Sequence, residues 1–195
     1  MKLSSSLAVL TLAFAAASPA VAAITIYTTT LSGQAEATPN DSPGTGTATV
    51  TVDSVTSQIR IQSSFSALLS PSTVAHIHCC TPEPLTGTAG VATQTPTFAG
   101  FPAGVTSGSY DSIFDLDDAS FYNPAFVMAQ GGLDGAKASF LAGLDAGTSY
   151  FNIHSEMFPA GEIRGFLKPI PEPEAYALML AGLAAMGAFM RRRKA

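Results

Sequence analysis

The chain has no tryptophan, two cysteines, three histidines and only nine basic residues in 195. Five of those nine sit at the two ends, at Lys2, Arg191, Arg192, Arg193 and Lys194. Between Ile24 and Lys168 the basic residues are Arg60, Lys137, Arg164 and Lys168 against twelve acidic ones, a balance of −8. Binding to nucleic acid draws on clustered cations that displace counterions, so this surface excludes nucleic acid as a partner. No Gly-x-Ser-x-Gly elbow, phosphate-cradling loop or His-Glu-x-x-His helix occurs. With those motifs missing, the sequence points to a protein that is not an enzyme.

What is present begins with the ends. Lys2 is followed by an apolar run from Leu7 to Ala17, broken only by Thr11, and then by Ser18, Pro19 and the small residues Ala20, Val21, Ala22 and Ala23. A charged start, a short apolar centre and an Ala-x-Ala exit predict a secretory signal peptide over residues 1–23, with signal peptidase as a partner. At the other end, Pro171-Glu172-Pro173-Glu174 precedes uncharged residues from Ala175 to Met190 and the cluster Arg191, Arg192, Arg193 and Lys194. As a helix rising 1.5 Å per residue, that stretch is about 24 Å long, slightly short of a hydrocarbon core of about 30 Å. Snorkelling side chains or local thinning let it span. The basic cluster then lies on the cytoplasmic side, which agrees with an exported domain.

These three parts, Pro171-Glu172-Pro173, an apolar helix and a terminal Arg cluster of Arg191, Arg192 and Arg193, resemble the PEP-CTERM sorting signal of Gram-negative bacteria. The resemblance implies that an exosortase cleaves near the Pro-Glu-Pro and that the helix holds the protein in the membrane beforehand. It also implies export through the inner membrane to the cell surface, the outer membrane or an extracellular matrix. Exopolysaccharide or other matrix components would be the neighbours there. The expected organisation is a signal peptide over 1–23, one domain over 24–168 and a sorting tail over 169–195, the tail carrying a transmembrane helix.

Within the domain, alternating β-branched and aromatic residues predict strands at Ile24–Thr28, Thr47–Val52, Gln58–Phe65, Thr73–His78 and Thr106–Leu116, and two more at Ser149–Ile153 and Gly161–Leu167. Pro82 to Gly104 holds four prolines and four glycines, and a long loop of this kind is often functional. Asn123-Pro124 reads as an N-cap followed by proline in the first turn. Leu133, Ala136, Lys137, Phe140, Leu141 and Leu144 follow at helical spacing, so one or two short helices are expected. The fold class is therefore all-β, a single β-sandwich, immunoglobulin-like or superoxide-dismutase-like, with a short helical insertion.

The three histidines are not scattered. His76 and His78 lie two apart on one predicted strand and so share a face, with Ile77 directed to the core. By the same alternation Ile153 points inward and His154 outward. If the two strands are neighbours, three imidazoles converge, enough donors for copper or zinc. With metal–nitrogen bonds of about 2.0–2.1 Å, the test is whether the ring nitrogens come within ~5 Å of one another. Cys79 and Cys80 follow His78 directly; in an exported protein they are expected to oxidise. They either close a vicinal disulfide, pair between chains or act as thiolate ligands beside His78. Asp115, Asp117 and Asp118 lack the spacing of a calcium loop and read as a solvated turn. Glu162 and Arg164 share a strand face and are expected to pair with each other or to satisfy buried backbone.

Ala75-His76-Ile77-His78, Tyr150-Phe151-Asn152-Ile153-His154-Ser155 and Phe158-Pro159-Ala160-Gly161-Glu162-Ile163-Arg164-Gly165 together resemble the CHRD domain, first described in chordin. The resemblance covers about Ile24 to Leu167, with Ser155 where threonine is usual and Ala160 where glycine is usual. It implies a β-rich extracellular module acting by binding or as structure. The His-x-His strand also resembles the copper strand of Cu/Zn superoxide dismutases over a few residues, without the further histidines that a two-metal site needs.

Overall fold

The computed structural model describes residues 24–170, 179–184, 186, 190 and 191. The signal peptide over residues 1–23 and the sorting residues Pro171, Glu172, Pro173, Arg192 and Arg193 lie outside the described residues. Residues 179–184 are helical and exposed, and Arg191 is likewise helical and exposed. No helix among the described residues is long and apolar enough to cross a membrane.

Alternation of small apolar and polar side chains makes the first half of the domain a meander. Strands β1 (Ile24–Ser32), β2 (Thr45–Asp53) and β3 (Gln58–Ser66) pair antiparallel in sequence order. Tyr27 and Leu31, then Ala48, Val50 and Val52, then Ile59, Ile61 and Phe65, point to one buried face. The second half adds β4 (Ser72–His78), β5 (Gly108–Asp115), β6 (Tyr150–Ser155), β7 (Ile163–Phe166) and a short β8 (Lys168–Pro169). All eight join a single antiparallel sheet in the order β4-β6-β7-β1-β2-β3-β5, with β8 paired to β1. The all-β expectation holds. The hydrogen bonding runs through one continuous, curled sheet in which β7 and β1 connect what a sandwich would keep as two layers.

The helical insertion forms as its sequence dictates. Asn123 accepts a hydrogen bond from the Ala125 N–H, and Pro124 opens α1 (Pro124–Ala129). Helix α2 (Leu133–Asp145) buries Ala136, Phe140, Gly143 and Leu144. Phe140 packs edge-on against Phe121 and Tyr122, the kind of aromatic contact that adds to burial. Tyr27 of β1 donates to the Asp145 carboxylate at the far end of α2. The acidic turn is solvated, as expected. Asp117 pairs with Lys137 at 2.5 Å, and the Asp118 side chain caps a short 3-10 turn at Ala119–Phe121.

Gly165 shows why the end of the Gly-Glu-Ile-Arg-Gly run takes no side chain. A Cβ there would meet the Thr30 carbonyl oxygen and the Thr29 hydroxyl of β1 inside contact distance. Only a glycine lets β7 close on β1, and that closure joins the two halves of the sheet. Gly165→Ala should lower the unfolding free energy by about 1–3 kcal/mol, the usual cost of overpacking. Urea denaturation should show this as a lower midpoint with an unchanged slope.

Candidate metal centre

The register between β4 and β6 places Ile77 opposite Phe151 and Ala75 opposite Ile153, and all four side chains are fully buried in the core. Alternation then turns His76, His78, Tyr150, Asn152 and His154 to the other face. His76 is opposite Asn152 and His78 opposite Tyr150. His154 lies one residue pair further along, where the register shifts between Ser72 and Ala75. The three histidines are therefore brought together as the sequence suggested. One ring nitrogen from each lies within 4.8 Å of the other two.

In one respect the expectation is corrected. The histidine face does not open to solvent, because His76 and His154 are only 6% and 8% exposed. The proline- and glycine-rich loop folds over it, forming isolated bridges from His78 to Val91 and from Thr93 to Tyr122. The Phe158–Gly161 turn closes the side next to His154.

Each ring uses one nitrogen on a backbone carbonyl. His76 Nε2 is 2.5 Å from the Pro96 oxygen, His78 Nδ1 2.9 Å from the Ala89 oxygen, and His154 Nδ1 2.9 Å from the Pro159 oxygen. A carbonyl oxygen only accepts, so the hydrogen sits on those ring nitrogens. In the neutral rings the lone pairs are then on His76 Nδ1, His78 Nε2 and His154 Nε2. These same three atoms are buried without a hydrogen-bond partner. Buried polar atoms are normally paired, and each exception calls for an explanation. Three such atoms in one cluster, each on a ring oriented by a carbonyl, form the pattern of a histidine metal site with its outer hydrogen bonds in place.

The surroundings keep the rings neutral. Burial pushes the His78 imidazole down to about 4, assisted by the neighbouring rings and by Arg164. Burial likewise lowers His76 and His154. Tyr150 stacks on His78 with ring centroids 4.7 Å apart, and its hydroxyl donates to the Ala89 oxygen that also holds His78.

Sequence reasoning missed part of this setting and misassigned another part. Arg164 does not pair with Glu162. Its guanidinium donates to the Ala35 and Gly87 carbonyls, lies 4.7 Å from the centre of the Tyr150 ring and approaches Glu36 at 3.8 Å. Glu162 is fully buried and accepts from the Ser42 hydroxyl and the Leu69 N–H. Both residues thus satisfy buried groups, as the other half of that expectation had it. Glu36 carried no signal in the sequence. It bonds the Asn152 amide, and burial raises its carboxyl to about 7 against the pull of Arg164 and Asn152.

Of the alternatives open for the cysteines, the structure carries the vicinal disulfide. Cys79 and Cys80 form a disulfide with each other. Strand alternation after His78 turns Cys79 away from the imidazoles, and both sulfurs lie against the Ser139 carbonyl of α2. A Cβ on Gly143 would meet both sulfurs inside contact distance, so α2 can approach the disulfide only at a glycine.

Stability should follow pH through the histidines when no metal is bound. Unfolded, each ring titrates near its ordinary value of about 6.5. Folded, His78 resists protonation until about pH 4. Its contribution is complete above pH 6.5 and is lost as pH falls towards 4, a cost of roughly 3 kcal/mol from this ring. Glu36 works in the opposite sense, because its raised carboxyl favours the fold most below pH 4.5 and that gain fades as pH rises to about 7. Three rings outweigh one carboxyl, so chemical unfolding of the metal-free protein should show falling stability from pH 6.5 to 4. His78→Gln should flatten that slope.

The comparisons with known proteins agree with the architecture. The family profile of the CHRD domain matches residues 27–167. The PEP-CTERM protein-sorting motif matches residues 169–194. No curated protein and no solved structure matches the chain. The sorting motif implies exosortase processing, a membrane-anchored C-terminus beforehand, and export across the inner membrane to the surface or extracellular space of a Gram-negative bacterium. From the curled β-sheet and the family match, this chain belongs to the CHRD-domain family and carries a C-terminal PEP-CTERM sorting motif.

Proposed function

We propose that this chain is a surface or extracellular-matrix protein whose CHRD domain works by binding rather than by turnover. What it binds is one copper or zinc ion, held by His76, His78 and His154. The observation that carries this reading is that three histidines with one ring nitrogen each within 4.8 Å of the others each also keep one buried, unpartnered ring nitrogen, His76 Nδ1, His78 Nε2 and His154 Nε2. A bound ion would complete the coordination of all three at once. Each unsatisfied buried acceptor otherwise costs about 1–3 kcal/mol. The likeness to the copper strand of superoxide dismutases is carried by the same His-x-His alternation over a few residues and does not extend to a second metal.

Delivery is the other half of the function. Exosortase cleavage near Pro171-Glu172-Pro173 releases the domain from its apolar tail and places it among exopolysaccharide and other matrix components. Lys137, Arg60 and the exposed acidic residues leave a lightly charged surface suited to that setting.

Elemental analysis of the purified full chain should find one copper or zinc per chain. His78→Ala should weaken binding by more than the roughly 10–100-fold typical of changes outside the ligand shell. A wild-type protein that stays metal-free after incubation with both ions rules the reading out. Separately, Glu172→Ala in a host that makes an exosortase should leave the chain uncleaved in the membrane fraction. Release indistinguishable from wild type would count against exosortase processing at this motif.

A further inference from the structure

Deepening the three-histidine reading, on which it rests, we propose that the resident ion is monovalent copper in a three-coordinate, all-nitrogen site. Zinc or divalent copper would occupy the same residues only weakly.

The first argument is charge. The donor set is three imidazoles and contributes no negative charge. On the same sheet face the Arg164 guanidinium lies over the Tyr150 ring on which His78 stacks. Its carboxylate neighbour, Glu36, bonds Asn152 and Arg164 rather than a histidine. The cost of burying an ion in a medium of low dielectric scales with the square of its charge. A divalent ion therefore incurs about four times the desolvation penalty of a monovalent one, with no anionic ligand to offset it.

The second argument is the number of donors. Among the described residues no fourth histidine, cysteine or carboxylate joins the group. Zinc is almost always four-coordinate and would need a water in the remaining position. Divalent copper favours a tetragonal set of nitrogen and oxygen donors. A closed-shell cuprous ion has no such geometric demand and is satisfied by three nitrogens. The ring nitrogens that face one another are buried from solvent, which suits an ion that brings no water with it. Asn152, opposite His76 in the strand pairing, has an unpartnered side-chain oxygen. Its amide nitrogen is tied to Glu36, and its side chain lies against Gly161.

The third argument concerns the thiolates. The only two cysteines are joined to each other against α2. Thiolates that would capture monovalent copper ahead of the imidazoles are thereby closed off.

The test is competition on the full chain in detergent. Cuprous ion, supplied anaerobically as its acetonitrile complex, and zinc would be added together at equal concentrations. Copper should be retained at one per chain and zinc excluded. X-ray absorption should show a cuprous edge and a first shell of three nitrogens. His154→Gln and His76→Gln should each lose the copper while unfolding at a temperature close to the metal-free wild type, which separates loss of a ligand from loss of the fold. Zinc retained in preference to copper, or an oxygen in the first shell from water or from Asn152, overturns the cuprous assignment and leaves the three-histidine site standing. Retention of neither ion overturns both.

Discussion

The pairing of β4 with β6 sets the position of every group in the candidate centre. Two strands that were misaligned by one residue would turn every side chain to the opposite face. Ile77, Phe151, Ala75 and Ile153 are fully buried on the core side, so a one-residue slip of β4 would turn Ala75 and Ile77 out of the core and His76 and His78 into it. Hydrophobic burial, at about 25 cal/mol for each Å², thus holds the register that brings the imidazoles together. The site is a by-product of the core in the sense that the same alternation builds both. Packing chemistry on one face fixes the placement of the imidazoles on the other.

The register alone would leave three mobile rings. The loop between β4 and β5 supplies what the sheet lacks. Its backbone carbonyls at Ala89 and Pro96 take one N–H each from His78 and His76, and the turn carbonyl at Pro159 takes one from His154. Proline at two of these positions has no N–H of its own, so the peptide presents an acceptor without a competing donor. Tyr150 holds Ala89 from both sides, accepting from its N–H and donating to its oxygen. The length of this loop is thereby explained, since it must travel from the end of β4 back across the histidine face.

Much of this arrangement was legible in the sequence, and the limits of that legibility have a physical cause. Strand alternation is local, so the faces of His76, Ile77, His78, Ile153 and His154 followed directly from spacing. Asn123-Pro124 likewise carried its own capping chemistry. The adjacency of β4 and β6 is not local, because more than seventy residues separate the strands. It could be reasoned only as a condition. Glu36 was invisible for the same reason. It lies in a turn-rich stretch with no pattern, and only the folded sheet brings it to Asn152, with |i−j| of 116. Arg164 was misread because sharing a strand face with Glu162 favoured the neighbour in sequence. The chain bends at Gly161, where φ is 128°, and Glu162 lies just before β7 begins, facing Ser42 and Leu69 instead.

The cysteines tie the chemistry of the site to the route the protein travels. Sulfur beside a His-x-His strand suggests thiolate ligation, and in a reducing compartment two free thiols would compete for any soft ion. Export removes that competition by favouring the disulfide. The fold removes it independently, since alternation sends Cys79 to the α2 side while His76 and His78 face the loop. Two separate causes therefore leave the imidazoles without a sulfur partner, and only the first depends on the compartment. Were the disulfide reduced, the sulfurs would still be directed at Ser139 and Gly143. The all-nitrogen donor set of the candidate site thus rests on two supports, the alternation that the buried core fixes and the disulfide that export favours.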